Sequence, residues 1–199
     1  MKAPERRASI LAVAKVLFAD RGYHGVSVDE IAKRLGVSPA VLYQHFDSKE
    51  ILYESVLNEI GCQRESYVDV VVTGPDDFPS VLARMTMVYA DSVIADPDYL
   101  RMEMQAMLEG ALMAQRFFES RWKSFSDFIE VSLNELAQAG KVNQINPRLA
   151  SLMFQGMLRE VLYAKCIYHS EHYRDLSAKT LLEQLIQQFL ITINYQGHS

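Results

Sequence analysis

Residues 27–50 read SVDEIAKRLGVSPAVLYQHFDSKE, and this stretch decides the fold of the first quarter of the chain. Ser27 followed three residues later by Glu30 forms a capping box, the usual signal for the start of a helix. Apolar residues then recur at spacings of three and four between Val28 and Leu35, which places them on one helical face. Gly36 follows, where a left-handed residue is needed to end the helix. The stretch therefore begins with one short amphipathic helix.

A second short helix follows directly. Ser38 is suited to the N-cap, and Pro39 stands at the first helical position, where its missing N–H costs nothing. We expect this helix to run to Phe46 and a third helix to begin after Asp47 or Ser48. Two short helices joined by a tight turn that contains glycine form a helix-turn-helix, whose second helix fits the major groove of DNA.

The same residues carry a family resemblance. The runs FADRGY (18–23), SVDEIA (27–32) and LGVSPAVLYQHFDSKEIL (35–52) resemble the signature of TetR-type bacterial transcription regulators. The similarity covers roughly residues 5 to 60. It implies a DNA-binding head, a helical body that holds an effector, and a dimer that pairs through its last two long helices.

The resemblance also implies which residues meet DNA. Lys49, Tyr43 and His45 are suited to the phosphate backbone, and for His45 the alternative is a position at the edge of the core. Gln44 can pair with adenine, and Ala40 or Val41 can touch a thymine methyl group. The full predicted set is Ser27, Ser38, Pro39, Ala40, Val41, Tyr43, Gln44, His45 and Lys49.

Composition and charge set further limits. The net charge is −5, but residues 1–50 hold eight Lys or Arg against six Asp or Glu, whereas the remainder holds twelve against nineteen. A mildly basic head on an acidic body fits DNA contact at one end. No stretch has the apolar length of a membrane span, and Cys62 and Cys166 form no metal or disulfide motif, so we expect a cytoplasmic protein without metal, cofactor or membrane partner.

The remaining pattern is helical throughout, so we predict an all-α fold with about nine helices. Proline, glycine and capping residues mark the helix ends. We divide the chain into a helix-turn-helix DNA-binding domain, residues 1–50, and an effector-binding and dimerisation domain, residues 51–199. The helices are expected at about 5–21, 28–35, 39–46, 49–72, 77–95, 99–109, 112–139, 147–168 and 178–195.

The middle of the chain is rich in methionine and aromatic residues. Such side chains repack around varied apolar ligands, and the resemblance implies an effector cavity here. The alternative is an ordinary helical core. The predicted ligand-binding residues are Met85, Tyr89, Met104, Met107, Phe117, Trp122, Phe125, Met153, Met157, Arg159 and Tyr163.

The last two predicted helices carry more apolar surface than one packing face needs. We expect the excess to be buried between two copies of the chain, the alternative being burial within a single copy. The predicted interface residues are Leu152, Gly156, Leu182, Leu185, Ile186, Phe189 and Ile193.

Together these patterns favour a dimeric regulator, a repressor that binds a palindromic operator and is released by a small apolar or amphipathic effector of unknown identity. One alternative is a DNA-binding protein controlled by a protein partner. The other is a helical enzyme with a pocket carboxylate, although the five histidines show no HExxH spacing and no nucleophile motif is present. We therefore expect a protein that is not an enzyme.

Overall fold

Helices account for all the regular secondary structure in residues 3–62, 76–110 and 112–197, the part of the chain that the computed structural model describes. This part contains nine α-helices and one 3₁₀ helix, Glu171–Tyr173, which confirms the all-α fold. The α-helices are α1 Ala3–Arg21, α2 Val28–Leu35, α3 Pro39–Tyr43, α4 Lys49–Cys62, α5 Phe78–Ala95, α6 Asp98–Glu109, α7 Leu112–Gln138, α8 Pro147–Cys166 and α9 Ala178–Thr192.

Short polar side chains cap the starts of most of these helices. The Ser27 hydroxyl accepts from the Glu30 N–H at 3.2 Å, as the capping box predicts. Of the two candidate residues, Asp47 and Ser48, it is Ser48 that caps α4, and Asp77 caps α5. The side chain of Asn146 accepts from two backbone N–H groups at the start of α8, and Ser177 does the same for one at the start of α9.

Glycines in the left-handed conformation follow four of the described helices, and Gly22, with a φ of 70°, does so after α1. Gly36 has a φ of 69°, and the N–H of the next residue closes on the Ala32 carbonyl at 3.0 Å. Gly110 and Gly140 end α6 and α7 in the same conformation. A residue with a Cβ is strained at such a φ, which explains why glycine is found there.

The chain divides into two compact units. The first comprises Met1–Glu65 and Asp96–Phe118 and therefore contains the helix-turn-helix with α1, α4 and α6. Its core includes Phe18 and Tyr53, whose rings meet edge to face with centroids 4.8 Å apart. Buried aliphatic residues of α1, α2 and α3 complete this core: Ile10, Ala14, Leu17, Ile31, Ala32 and Leu42.

The second unit comprises Ser66–Ala95 and Glu119–Ser199. It contains α5, α8, α9 and the larger part of α7. A run of aromatic contacts joins these helices: Phe125 to Phe154 at 6.4 Å, and Phe154 to Phe189 at 4.9 Å between ring centroids. Apolar burial along this run stabilises the unit.

Two expectations about local structure were wrong. The helix α3 ends at Tyr43 rather than Phe46, because residues 44–46 close as turns back onto Ala40 and Leu42. The apolar pattern that follows Lys49 in the sequence predicts that Ile51 is buried, but Ile51 is 43% exposed, since its neighbours Leu52 and Tyr53 take the buried positions of α4. The predicted continuation of α4 to residue 72 lies outside the described residues.

Candidate nucleic-acid interface and effector site

The predicted DNA-binding residues lie on α3, in the turns on either side of it, and at the starts of α2 and α4. Leu42 and Phe46 are buried, and this fixes the rotation of the helix. As a result Tyr43 is 52% exposed and Gln44 is also exposed. Of the other predicted residues, Ser27, Ser38 and Ala40 are exposed, and Pro39, Val41, His45 and Lys49 are half-buried.

The two predicted N-caps differ from each other. Ser27 uses its hydroxyl to cap α2, so the cap fixes that side chain. Ser38 has the extended backbone of an N-cap, with φ of −79° and ψ of 153°, but its hydroxyl forms no cap hydrogen bond. The Ser38 hydroxyl is therefore available to a partner outside the chain.

Lys49, the first residue of α4, lies against an aromatic ring. Its ammonium nitrogen is 4.2 Å from the centroid of the Tyr23 ring, a distance typical of a cation–π contact. Partial burial lowers the pKa of Lys49, and the negative charges of Glu50 and Glu109 oppose that effect. The contact orders a lysine side chain that would otherwise move freely.

Tyr23 also bonds to the neighbouring carboxylate, because its hydroxyl donates to Glu50. Burial and this hydrogen bond raise the pKa of Tyr23 to about 12. The hydrogen bond from Tyr23 is the main reason why the pKa of Glu50 falls to about 2. Sequence reasoning did not identify Tyr23 as part of this site, although it lies in the FADRGY run.

Four of the predicted effector residues cluster in the second unit. The ring of Trp122 lies 4.9 Å from Tyr89 and 5.7 Å from Phe125 between centroids. The guanidinium carbon of Arg159 lies 4.5 Å from the centroid of the Trp122 ring. The cluster therefore combines three aromatic rings with one cation.

The other predicted effector residues are more dispersed. Met104, Met107 and Phe117 belong to the first unit, where Met107 is exposed and the other two are half-buried. In the second unit Met153 is exposed, and Met85, Met157 and Tyr163 are half-buried. A pocket of about 580 Å³ lies instead along the exposed face of α9, where its described lining is Glu183, Gln184, Gln187 and Gln188.

A polar seam between α7 and α8 was not predicted. The Gln155 amide donates to the hydroxyls of Ser126 and Ser151, each at 2.9 Å, and Gln155 and Ser151 are buried. Ser151, Gln155 and Arg159 are four residues apart in sequence, so they lie on one face of α8. That spacing is the signal that could have revealed the seam.

The predicted interface residues fall into two groups. Five on the last helix or directly after it are buried within one chain: Leu182, Leu185, Ile186, Phe189 and Ile193. Their apolar character is explained by the monomer core, so a partner is not needed to cover them. On α8, in contrast, Leu152 is 67% exposed and Gly156 is exposed. The exposed Leu149 and Met153 lie beside them.

The described residues contain no helix long and apolar enough to span a membrane. They also contain no group of three or more His, Cys, Asp or Glu side chains placed to hold a metal ion.

Similar proteins were found at the level of both sequence and fold. The family model described as bacterial regulatory proteins, tetR family, matches residues 10–56. The HTH-type transcriptional activator FasR of Mycolicibacterium smegmatis is 50% identical over 70 residues, which is 35% of this chain and 29% of that protein. In general, the chain spans less than half the length of the curated relatives it matches.

Solved structures extend the likeness to nearly the whole chain. The fatty acid degradation regulator FadR from Bacillus halodurans aligns with a TM-score of 0.73 at 20% identity, covering 98% of this chain and all of that one. FadR from Bacillus subtilis, solved in complex with stearoyl-CoA, aligns with a TM-score of 0.70 at 19% identity, covering 95% and 99%. Residues 10–56 therefore match the tetR family of bacterial regulatory proteins, and the helical fold described above is shared with solved regulators over nearly the whole chain.

Proposed function

We propose that this chain regulates transcription by binding a palindromic DNA operator through α2 and α3. The observation that carries the proposal is the outward side of α3, where Tyr43 and Gln44 are exposed while Leu42 anchors the helix to the core. A helix held in this way can enter the major groove without loss of its own packing. Residues 1–50 then form the DNA-binding domain, and residues 51–199 the effector-binding and dimerisation domain.

The residues of this surface have different roles in the proposal. Lys49, ordered by the Tyr23 ring, contacts a phosphate and so fixes the register of the protein on the duplex. Gln44 reads a base edge, with adenine as its best bidentate partner. Because Pro39, Ala40 and Val41 have no side-chain hydrogen-bond donors, sequence readout depends on few positions and on the methyl groups of thymine.

The proposed effector is a small amphipathic molecule with an anionic group. The cluster of Tyr89, Trp122 and Phe125 offers apolar surface, and Arg159 provides a positive charge beside it. A carboxylate, or a phosphate such as those of an acyl-coenzyme A, can form a charge-assisted hydrogen bond with the guanidinium. An acyl chain can pack against the aromatic rings. The related fold of FadR from Bacillus subtilis was solved with stearoyl-CoA, which is a molecule of this kind.

In this proposal the effector acts as an inducer. A ligand changes operator affinity only by its differential affinity for the DNA-bound and free states of the protein. The chain then represses in the absence of effector, and the acyl ligand releases it. We propose that this chain is a repressor. FasR, which has a related sequence, is an activator, so similar sequences occur in regulators with either effect on transcription.

The proposed dimer pairs through the exposed stripe of α8. Leu149, Leu152 and Met153 present apolar side chains to solvent, and Gly156 lies on the same face. A Cβ added to Gly156 would meet nothing within 4 Å in a single chain, so this glycine leaves room for close approach by a second helix. The five buried residues at α9 support this surface from beneath rather than forming it.

A second candidate function is regulation by a protein partner instead of a small molecule. One observation favours it: the aromatic cluster is already packed, since Tyr89, Trp122 and Phe125 are each buried and in ring contact. An effector would then have to displace these rings in order to enter.

The test begins with the selection of duplexes from a random 40-base-pair library by the purified full chain. Binding of the selected duplex is then measured by fluorescence anisotropy with and without stearoyl-CoA, and with free coenzyme A as the control. The proposal predicts a palindromic consensus and weaker DNA binding in the presence of stearoyl-CoA. No enrichment of any sequence would refute the DNA-binding proposal. A palindrome bound equally with and without stearoyl-CoA and shorter acyl-CoA esters would favour control by a protein partner.

A further inference from the structure

Glu109, the last residue of α6, binds the backbone of the turn between α1 and α2. Its two carboxylate oxygens accept from the N–H groups of Tyr23 at 2.8 Å and His24 at 3.0 Å. Both interactions join residues more than 80 positions apart, and both lie within the first unit. Charge-assisted hydrogen bonds of this kind are stronger than neutral ones and restrict the backbone that donates them.

Two neighbouring features indicate that the turn is shaped to receive this carboxylate. Gly22 has a φ of +70°, and a Cβ placed there would lie 2.2 Å from a carboxylate oxygen of Glu109. One helical turn earlier, the Gln105 amide donates to the Asp20 carbonyl at 3.2 Å. The close approach of the Glu109 carboxylate to the backbone therefore depends on the glycine. Two successive turns of α6, at Gln105 and Glu109, form hydrogen bonds with the backbone at the end of α1 and directly after it.

Tyr23, whose N–H donates to Glu109, also contacts the first two residues of α4. Glu109 holds the N–H of Tyr23, the Tyr23 ring lies 4.2 Å from the Lys49 ammonium, and the Tyr23 hydroxyl donates to Glu50. A continuous path of contacts thus leads from the end of α6 to the first residue of α4. Because the three links share Tyr23, a shift of its backbone moves the surface on which Lys49 rests.

We propose that Glu109 is a positioning residue for the phosphate contact of Lys49, acting through the Tyr23 backbone. Glu109 itself does not touch DNA in this scheme. The inference rests on the proposed function, since it assumes that Lys49 meets a phosphate. It adds that the contact is made at full strength only while the Glu109 carboxylate holds the turn.

The test is a double-mutant cycle with Glu109→Ala and Lys49→Ala in the full chain, measured on the duplex selected by the wild-type protein. Loss of one phosphate contact should flatten the slope of log K against log salt by about 0.9, which is roughly eightfold in affinity at 0.1 M relative to 1 M salt. We expect Glu109→Ala to reproduce most of the slope change of Lys49→Ala. The double variant should then show little further change, because both substitutions remove the same contact.

Two further variants separate positioning from simple structural support. Leu108→Ala, at the adjacent and 82% exposed position of α6, should leave both the affinity and the salt slope at their wild-type values. Glu109→Gln keeps one carbonyl acceptor and should give an intermediate slope. If Glu109→Ala does not fold, the cycle is carried out with Glu109→Gln.

The outcomes distinguish this inference from the proposed function. A wild-type chain that selects no duplex refutes the DNA-binding proposal and the inference with it. A wild-type chain that binds, with Glu109 and Lys49 effects that simply add or a Glu109 variant that keeps the full salt slope, refutes the inference alone. Tighter binding by Glu109→Ala would also overturn it, since the contact would then restrain Lys49 from DNA.

Discussion

Tyr23 and Glu50 form a pair whose two pKa shifts predict a specific dependence of stability on pH. The pKa of Glu50 falls from 4.5 to about 2, so the folded chain favours its ionised form. This stabilisation is present above pH 4.5 and is lost as the pH falls toward 2. The pKa of Tyr23 rises from 10.0 to about 12, so its contribution is present below pH 10 and is lost as the pH rises through 12.

Tyr23→Phe removes the hydroxyl that makes this pair. We expect the variant to be less stable than wild type near pH 7, and the difference to shrink both below pH 4.5 and above pH 10. Urea unfolding at several pH values measures the difference in the free energy of unfolding between the variant and the wild type. Tyr43→Phe, which removes an exposed hydroxyl from the same unit, is the matched control. A difference that stays constant from acid to neutral pH would contradict the pairing.

Gln44 and Lys49 should have separable effects on DNA binding. Gln44→Ala is expected to relax preference at one or two base pairs at a cost of about 1–3 kcal/mol, because it removes the proposed base contact. Lys49→Ala should weaken binding to all duplexes alike, because it removes the proposed phosphate contact. Affinities for a set of single-base-pair variants of the selected duplex measure both. Equal loss on every duplex for Gln44→Ala would exclude the base-reading role.

At the level of elements, the surfaces of α8 and α9 predict opposite behaviour for two charge substitutions. Leu152 is exposed in the single chain, so Leu152→Glu should change the free energy of unfolding of the monomer by no more than about 0.5 kcal/mol while breaking the proposed dimer. Leu185 is only 8% exposed, so Leu185→Glu places an unpaired charge in the core and should cost about 3 kcal/mol or more.

Sedimentation equilibrium and thermal unfolding by circular dichroism distinguish the two effects. The expected result is a folded monomer for Leu152→Glu and a largely unfolded chain for Leu185→Glu. Gly156→Leu, on the same stripe, is a second test of the interface and should also give a folded monomer. If Leu152→Glu and Gly156→Leu both remain dimeric, the proposed interface on α8 is wrong.

Helix boundaries were predictable because their causes are local. A capping serine, a proline at the first position or a left-handed glycine acts within four residues of itself, and Ser27, Gly36 and Pro147 each mark an observed helix end. Burial is decided by packing between distant residues. The apolar stripe of α9 predicted an interface between two copies, with burial in a single copy as the alternative, and packing such as that of Phe189 against Phe154 accounts for its burial within one chain.

In the candidate site, too, the features with local causes were predictable and those that depend on distant residues were not. The motif predicted that Tyr43 and Gln44 face outward, because the buried position of Leu42 follows from helical spacing. The roles of Tyr23 and Glu109 depend on a contact between residues 86 positions apart. No periodicity or spacing in a single sequence encodes such a contact.

For the whole molecule, the proposed function requires that two chains bind one palindromic duplex. The charge distribution agrees with this, since residues 1–50 are net positive while the rest of the chain is net negative. Two heads must then meet half-sites about 34–36 Å apart, or a multiple of that distance. In this proposal a single head offers few base contacts, so most of the discrimination against random DNA requires both heads.

Native mass spectrometry counts the chains that bind the selected palindrome. Fluorescence anisotropy compares the affinity for this palindrome with the affinity for a duplex of equal length in which one half-site is scrambled. We predict two chains per palindrome, an affinity about 1,000-fold or more above that for random DNA, and most of that advantage lost on scrambling. One chain per duplex, with equal affinity for the intact and the half-scrambled site, would contradict it.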